Sequence, residues 1–463
     1  MKKSILSCLF PFSAMILASC NVLPAGESSQ NSTLSPNSSA NPSSSLPEYR
    51  EGFVKAEGSE LVDGAGEKIL LRGTNLGGYL VHERWMCLTD SPDLLMTINT
   101  LTERFDRDSA FELLDIYQDY FWTDEDFDNV QALGLNCLRL PLSYADVFDC
   151  DFDLMRSDDP DPHEVLNMSL IVRENHLKKI DRLINEAARR GIYIILDLHG
   201  AFGSQNGNDH SIDSRQHDWL WRQDALGAAF RELTTDLWRV LAERYRDNKN
   251  VAAYDILNEP AGDANDPECV TSTTGRIQWD YFDVLYDTIR EKDPNHLLIM
   301  ESCWTAANLP NPGTYGWENV MYEFHHYDSN TSDEGQFLSH KNRIDEIVGT
   351  AFGVPLYMGE FCPHCSYEGW VPILDYLNKN HVSWTNWTYR VRGFSEWGLY
   401  HVRTNNQDDP TLPVSEIPAI TRGNDSFEEI ERKWGRDQRK GYLRNDELCA
   451  IIQEAAQAPI DFE

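Results

Sequence analysis

The sequence predicts an α/β protein whose single catalytic domain is a (β/α)8 barrel, and three observations carry that expectation. Eight short apolar runs are spread over residues 69 to 384, separated by helical patterns or longer insertions, and eight parallel strands close such a barrel. Two of these runs lead into a glutamate, Glu259 after Val251–Leu257 and Glu360 after Val354–Met358. Strand ends of that kind are where this architecture keeps its chemistry. The stretches between runs are amphipathic at helical spacing and stop at glycines such as Gly134 and Gly191.

Taken in order, the chain opens on a targeting segment. Lys2 and Lys3 form a positive start and Ile5 to Leu17 is mostly apolar, but Pro11 and Ser13 interrupt it and it is too short for a stable membrane span. Leu17-Ala18-Ser19-Cys20 resembles a bacterial lipoprotein box, which implies cleavage before Cys20 and lipid on that residue; an ordinary secretory peptide cut nearby is the alternative. Asn21 after the cysteine favours the outer membrane or cell surface in a Gram-negative host. Residues 21–47, rich in Ser, Asn and Pro, are expected to be a linker, and 48–463 the barrel. Gly52 to Gly66 reads as a hairpin turning at Asp63-Gly64 and plugging the bottom of the barrel.

The expected barrel strands are Ile69–Arg72, Cys137–Leu140, Tyr193–Leu196, Ala253–Ile256, Leu297–Met300, Val320–Phe324, Pro355–Met358 and Val382–Trp384. Between them, Leu177, Ile180, Leu183 and Ile184 share one helical face, and so do Phe230, Leu233, Leu237, Trp238, Leu241 and Tyr245. Phe427–Trp434 and Glu447–Ala456 read as closing helices. Leu88 to Phe121, and the loops after the third and fourth strands, exceed what a minimal barrel needs; long loops on this face shape a substrate cleft.

Composition narrows the function. The formal charge is -35, from 75 acidic against 40 basic residues, which excludes nucleic acid and anionic membrane surfaces as partners but not a neutral substrate. Membrane contact is expected only through the N-terminal lipid, and a monomer is expected. Of ten cysteines, eight lie beyond the signal and lipid positions, and the sequence leaves their pairing open.

The dispersed motifs LRGTNLGGYL, LGLNCLRLPLSY, LDLHGAFGSQNGNDHS, YDILNEP, FHHY, GEF and WTNWTYR resemble glycoside hydrolase family 5, from about Glu48 to the C-terminus. The resemblance implies a retaining β-glycosidase with Glu259 as acid/base and Glu360 as nucleophile. It further implies that Arg139 holds the nucleophile ionised, that Asn258 bonds the sugar 2-hydroxyl, and that Tyr327 orients Glu360. His199 and His325 line the reactive subsite and Trp387 is the sugar platform. Strand alternation then points His326 away from the cleft. Trp219, Trp304 and Trp397 are candidates for flanking subsites.

Retention calls for two carboxyl groups roughly 5–5.5 Å apart in unlike environments, and no cofactor or metal. The substrate expected is a β-glucan, β-1,4 or β-1,3 linked, with exo or endo action open; a mannanase or other β-glycosidase of the same family, or a catalytically inactive carbohydrate-binding lipoprotein, are the alternatives. Cys362-Pro363-His364-Cys365 resembles a thiol-oxidoreductase motif, but a structural disulfide or thiols near the cleft is the expectation. Asp149, Asp151 and Asp153 form a DxDxD run without the glycine and glutamate of a calcium loop.

Overall fold

The computed structural model describes residues 50–260, 274–302, 309–350, 352–392, 397–402 and 419–462. The targeting segment, Cys20, the linker and Trp304 lie outside them. Eight parallel strands close into a barrel: β1 Arg72–Asn75, β2 Cys137–Ser143, β3 Tyr193–Gly200, β4 Val251–Asp255, β5 Leu297–Glu301, β6 Val320–His326, β7 Leu356–Phe361 and β8 Val382–Asn386. Each pairs with the next, and β8 returns to β1 through Trp384–Arg72 and Asn386–Thr74.

Seven strands overlap the expected runs in three residues or more, and the first shares only Arg72 with its run. Lys68–Ile69 pairs with Glu60–Val62, which pairs in turn with Lys55–Glu57, so the run at Ile69 begins in a small antiparallel sheet and the barrel strand starts at Arg72. The turn at Asp63 is present, with Asp63 N–H donating to Glu67 O and Gly66 N–H to Asp63 O.

This small sheet closes the floor. Val54 and Leu61 pack against Leu71, Cys137, Tyr193, Ile195, Ala253, Leu297, Ile299, Met321 and Tyr357, all buried, at the N-terminal ends of the strands. Side chains on a strand alternate faces. Following that alternation upward, Cys137 leads to Arg139, Ile195 to Asp197 and His199, Ala253 to Asp255, Ile299 to Glu301, and Met321 to Glu323 and His325. The barrel interior is therefore apolar below and ionisable above. Intervening residues such as Leu138, Leu196, Tyr254, Met300 and Phe324 face the helical ring. At Gly359 a Cβ would lie 1.5 Å from Glu323 Oε1, so only glycine leaves room for that carboxylate.

The helices follow their apolar faces. Glu174–Arg189 buries Leu177, Ile180, Leu183 and Ile184, and Ala225–Tyr245 buries the six residues named for it above. Gly134 and Gly191 adopt φ of +76° and +75°, the left-handed stop conformation. The insertion after β1 forms two helices, Leu94–Phe105 and Arg107–Phe121, and the C-terminal helices run Phe427–Trp434 and Asp446–Gln457.

Candidate active site

The strand ends converge on a cavity of about 370 Å³ lined by Glu83, Trp85, His199, His210, Asn258, Glu259, Tyr327, Glu360, Trp387 and Trp397. A more open hollow of about 820 Å³ lies over Asp149, Asp151 and Asp153 but holds neither strand-end glutamate. There, Asp149 pairs with Arg107 and Asp151 caps the helix Phe152–Met155, so two of the three carboxylates have structural tasks.

Glu360 is fixed through both oxygens. Arg139 Nη1 donates to Oε1 at 2.8 Å and Tyr327 Oη donates to Oε2 at 2.9 Å. Arg139 is fully buried and carries more than one load. Its Nη2 donates to Asp255 Oδ2 at 2.7 Å and Asn258 Oδ1 at 2.8 Å, Nη1 meets Asp197 Oδ2 at 3.1 Å, and Nε stands 3.5 Å from Glu323 Oε1. Burial opposes its charge, but Asp197, Glu323 and Asp255 outweigh burial and hold the guanidinium well above its ordinary value. One cation cannot neutralise so many carboxylates. Burial pushes Asp255 and Glu301 well above the usual carboxylate range, and Asp197 up to about 7.

Glu259 occupies a backbone conformation with φ of +41°, unusual for a residue with a side chain. Its neighbours hold it there. Its N–H donates to the buried Glu301 Oε2, its carbonyl accepts from Asn206 Nδ2 at 3.3 Å, and the Asn258 carbonyl accepts from Gln205 Nε2 at 2.9 Å. Its carboxylate meets two imidazoles: His325 Nδ1 at 3.0 Å on Oε1 and His210 Nε2 at 3.0 Å on Oε2. Burial raises this carboxyl, but the charge and hydrogen bond of His210, then those of His325, hold it well below the usual range. His325 spans the site, its Nε2 donating to Glu323 Oε1 at 3.2 Å and its Nδ1 lying 3.7 Å from Glu360 Oε2. A register shift between Phe324 and His325 sets His325 opposite Glu360 across β6 and β7.

On the other wall, His199 Nδ1 pairs with Asp197 Oδ2 at 2.7 Å, and its ring stacks on Trp387 with centroids 5.5 Å apart and planes at 6°. Burial holds His199 well below its ordinary value, hence neutral. Trp397 closes the cleft in edge contact with Trp85 at 5.0 Å and lies 5.5 Å from Tyr327.

Glu259, Glu360, Arg139, Asn258, His199, His325, Tyr327, Trp387 and Trp397 thus share one site. Two candidates fare otherwise: Trp304 is outside the described residues, and Trp219 is buried against Phe230, its ring centroids 6.0 Å apart, and does not line the cavity. His326 points outward to Ser339, as alternation requires. Cys362 and Cys365 are not bonded to each other, and burial pushes the Cys365 thiol up to about 11, the opposite of a redox-active thiolate. Sequence reasoning gave no role to Glu83, Asn206, His210, Glu301, Asp197, Asp255 or Glu323, although Asp197, Asn206 and His210 lie within LDLHGAFGSQNGNDHS and Asp255 within YDILNEP. A charge inside an apolar strand run marks Asp197, Asp255 and Glu323, since charged groups are seldom fully buried unless paired.

Residues 103–393 match the profile of the cellulase family, glycosyl hydrolase family 5. The chain belongs to this family. Among curated relatives, a Beta-xylosidase of Phanerodontia chrysosporium is 30% identical over 392 residues, covering 78% of this chain and 75% of that protein. A Probable glucan 1,3-beta-glucosidase A of Aspergillus fumigatus is 31% identical over 56% of each chain, so this chain spans about half the length of that relative. The solved structure of AoRut aligns with a TM-score of 0.56 at 17% identity, over 70% of this chain and 89% of that one, which agrees in fold. As a family 5 member, the protein is a glycoside hydrolase that cleaves β-glycosidic bonds.

Proposed function

We propose that this hydrolase acts with retention on a β-glucan, β-1,4 or β-1,3 linked, with Glu360 as nucleophile and Glu259 as acid/base. The observation that carries the reading is separation. The nearest oxygens of Glu259 and Glu360 and a nitrogen of His325 all lie within 4.8 Å of one another. An inverting pair would stand roughly 6.5–9.5 Å apart to admit water between.

In the first step a Glu360 oxygen bonds to the anomeric carbon as the bond to the leaving oxygen breaks, and Glu259 delivers a proton to that oxygen. In the second, Glu259 takes a proton from water as the water oxygen attacks and the ester to Glu360 breaks. Arg139 and Tyr327 keep both oxygens of Glu360 hydrogen-bonded and aimed between turnovers. Asn258, at the cavity wall, is placed to bond the sugar 2-hydroxyl, and the Trp387 face suits the apolar face of a pyranose. His199 and His325 border the same ring, with Trp397 beyond it.

The experiment is hydrolysis of laminarin, barley β-glucan, carboxymethylcellulose, mannan and xyloglucan, with aryl β-glucoside and β-xyloside alongside, since one relative bears the name Beta-xylosidase. Activity on a glucan that vanishes in Glu360→Gln supports the reading; activity on mannan or the xyloside alone replaces the substrate. Azide should restore Glu259→Gly on an activated glycoside and give a product of retained configuration. A product of inverted configuration from that variant exchanges the two roles.

The exported, lipid-anchored location rests on Cys20 and is part of this proposal. Labelled fatty acid incorporated by the full chain in a bacterial host should be lost in Cys20→Ala; equal labelling of both would remove the lipid.

A further inference from the structure

His210 lies in the short 3₁₀ turn Asp209–Ser211, outside every strand, yet its ring enters the cavity and touches Glu259 on the oxygen that His325 does not hold. We propose that His210 is a positioning residue that holds the proton of Glu259 between turnovers and hands it to Oε2 when a substrate needs it. This rests on Glu259 being the acid/base.

A resting acid must keep a proton, but the surroundings of Glu259 favour its anion. The missing proton has a place. His210 faces Glu259 from the segment after β4, Glu83 from the segment after β1, its own neighbour Asp209 with Nδ1–Oδ1 at 4.0 Å, and the neutral His199 ring at 6.0 Å from β3. Burial disfavours its charge, but Glu259 first, then Glu83 and Asp209, raise it to about 9. Glu83 is itself buried and pushed up to about 8, so Glu259 is the dominant anion at this imidazole.

Asn206 makes the transfer reversible. Its Nδ2 stands 2.7 Å from His210 Nε2, the same nitrogen that lies 3.0 Å from Glu259 Oε2. While Nε2 carries hydrogen it donates to the Glu259 carboxylate. Once that hydrogen has crossed, Nε2 presents a lone pair and the Asn206 amide donates to it, stabilising neutral imidazole beside a protonated Glu259. In glycosylation the proton passes from Nε2 to Oε2 to the leaving oxygen as its bond to carbon breaks, leaving neutral imidazole and carboxylate. In deglycosylation the proton lost by the attacking water returns to the pair.

The test compares His210→Ala with the unsubstituted full chain on two aryl β-glycosides of the sugar the enzyme accepts. A 2,4-dinitrophenyl leaving group needs no proton; a 4-methylphenyl leaving group does. The variant should lose about tenfold or more in kcat/KM on the 4-methylphenyl glycoside and less than about threefold on the dinitrophenyl one, which also reports that it folds. The alkaline limb of kcat/KM on the 4-methylphenyl substrate should move to lower pH, because the remaining acid is held low by His325 alone. Equal losses on both substrates, or an unmoved alkaline limb, overturn the proposal. Azide rescue of Glu259→Ala is measured in parallel. Rescue with an unmoved limb removes the role of His210 only, and no rescue removes the role of Glu259 and the proposal with it.

Discussion

Arg139 Nη1 sits 2.8 Å from Glu360 Oε1, and the same guanidinium holds Asp255, Asp197 and Asn258 in the closed interior of the barrel. One residue therefore both aims a carboxylate at the cleft and neutralises the layer beneath it. Arg139→Lys keeps the charge but not the planar fork, so it should cut kcat by roughly 10²-fold or more. Arg139→Met, which leaves buried carboxylates uncompensated, should also destabilise the fold by about 3–5 kcal/mol. Steady-state kinetics and denaturant titration check both; a lysine variant within a few-fold of the parent would show that charge alone suffices.

Tyr327 is the other hold on Glu360, through one hydrogen bond to Oε2 at 2.9 Å. A bond to an ionised partner contributes about 1.5–3 kcal/mol. Tyr327→Phe should therefore lower kcat/KM roughly ten- to a hundredfold while leaving the thermal midpoint nearly in place. A large fall in that midpoint would instead make the tyrosine a packing residue.

The floor gives the converse case. Leu61 is 2% exposed and packs into the apolar end of the barrel, on the face away from the glutamates. Leu61→Ala should cost about 2–5 kcal/mol of stability and leave kcat unchanged at temperatures where the variant stays folded. Denaturant midpoints with kinetics at low temperature test it, and a specific loss of kcat would contradict it.

His82 supplies a pH dependence. It is 1% exposed against Tyr117 and Trp434, and neither ring nitrogen has a hydrogen-bond partner among the described residues. Burial pushes it down to about 4, against an ordinary value of 6.5. Between those values the unfolded chain binds the extra proton, so stability is lost as pH falls from about 6.5 towards 4, by up to ~3 kcal/mol from this residue. His82→Phe should flatten that part of the curve of thermal midpoint against pH. Parallel curves for parent and variant would assign the acid sensitivity elsewhere.

The barrel was legible because seven of its strands are apolar on both faces near their starts. Strand β1 was misplaced by three residues for a physical reason: Leu70 and Leu71 are the apolar pair, but Arg-Gly-Thr-Asn forms the strand. Gly73 lets the backbone approach Cys137, and Asn75 turns inward to Arg139. The glutamates, Arg139 and Tyr327 were readable because short motifs fix them relative to strand ends. His210 and Glu83 were not. They stand on loops that bear no periodic pattern, and only tertiary folding brings them to Glu259 and to each other. Trp219 misled because a loop tryptophan beside a charged stretch reads as exposed, whereas its ring packs on the long helix Ala225–Tyr245.

The plugged floor also decides how this enzyme can be handled. Arg50, the first described residue, lies over the Tyr193 ring and reaches the Gly191 carbonyl, at the end of the strands that the small sheet closes. A resin or carrier coupled at that residue would grip the sealed base and leave the mouth open to a long polymer. Coupling through the loops around Trp85 or Trp397 would cork the opening.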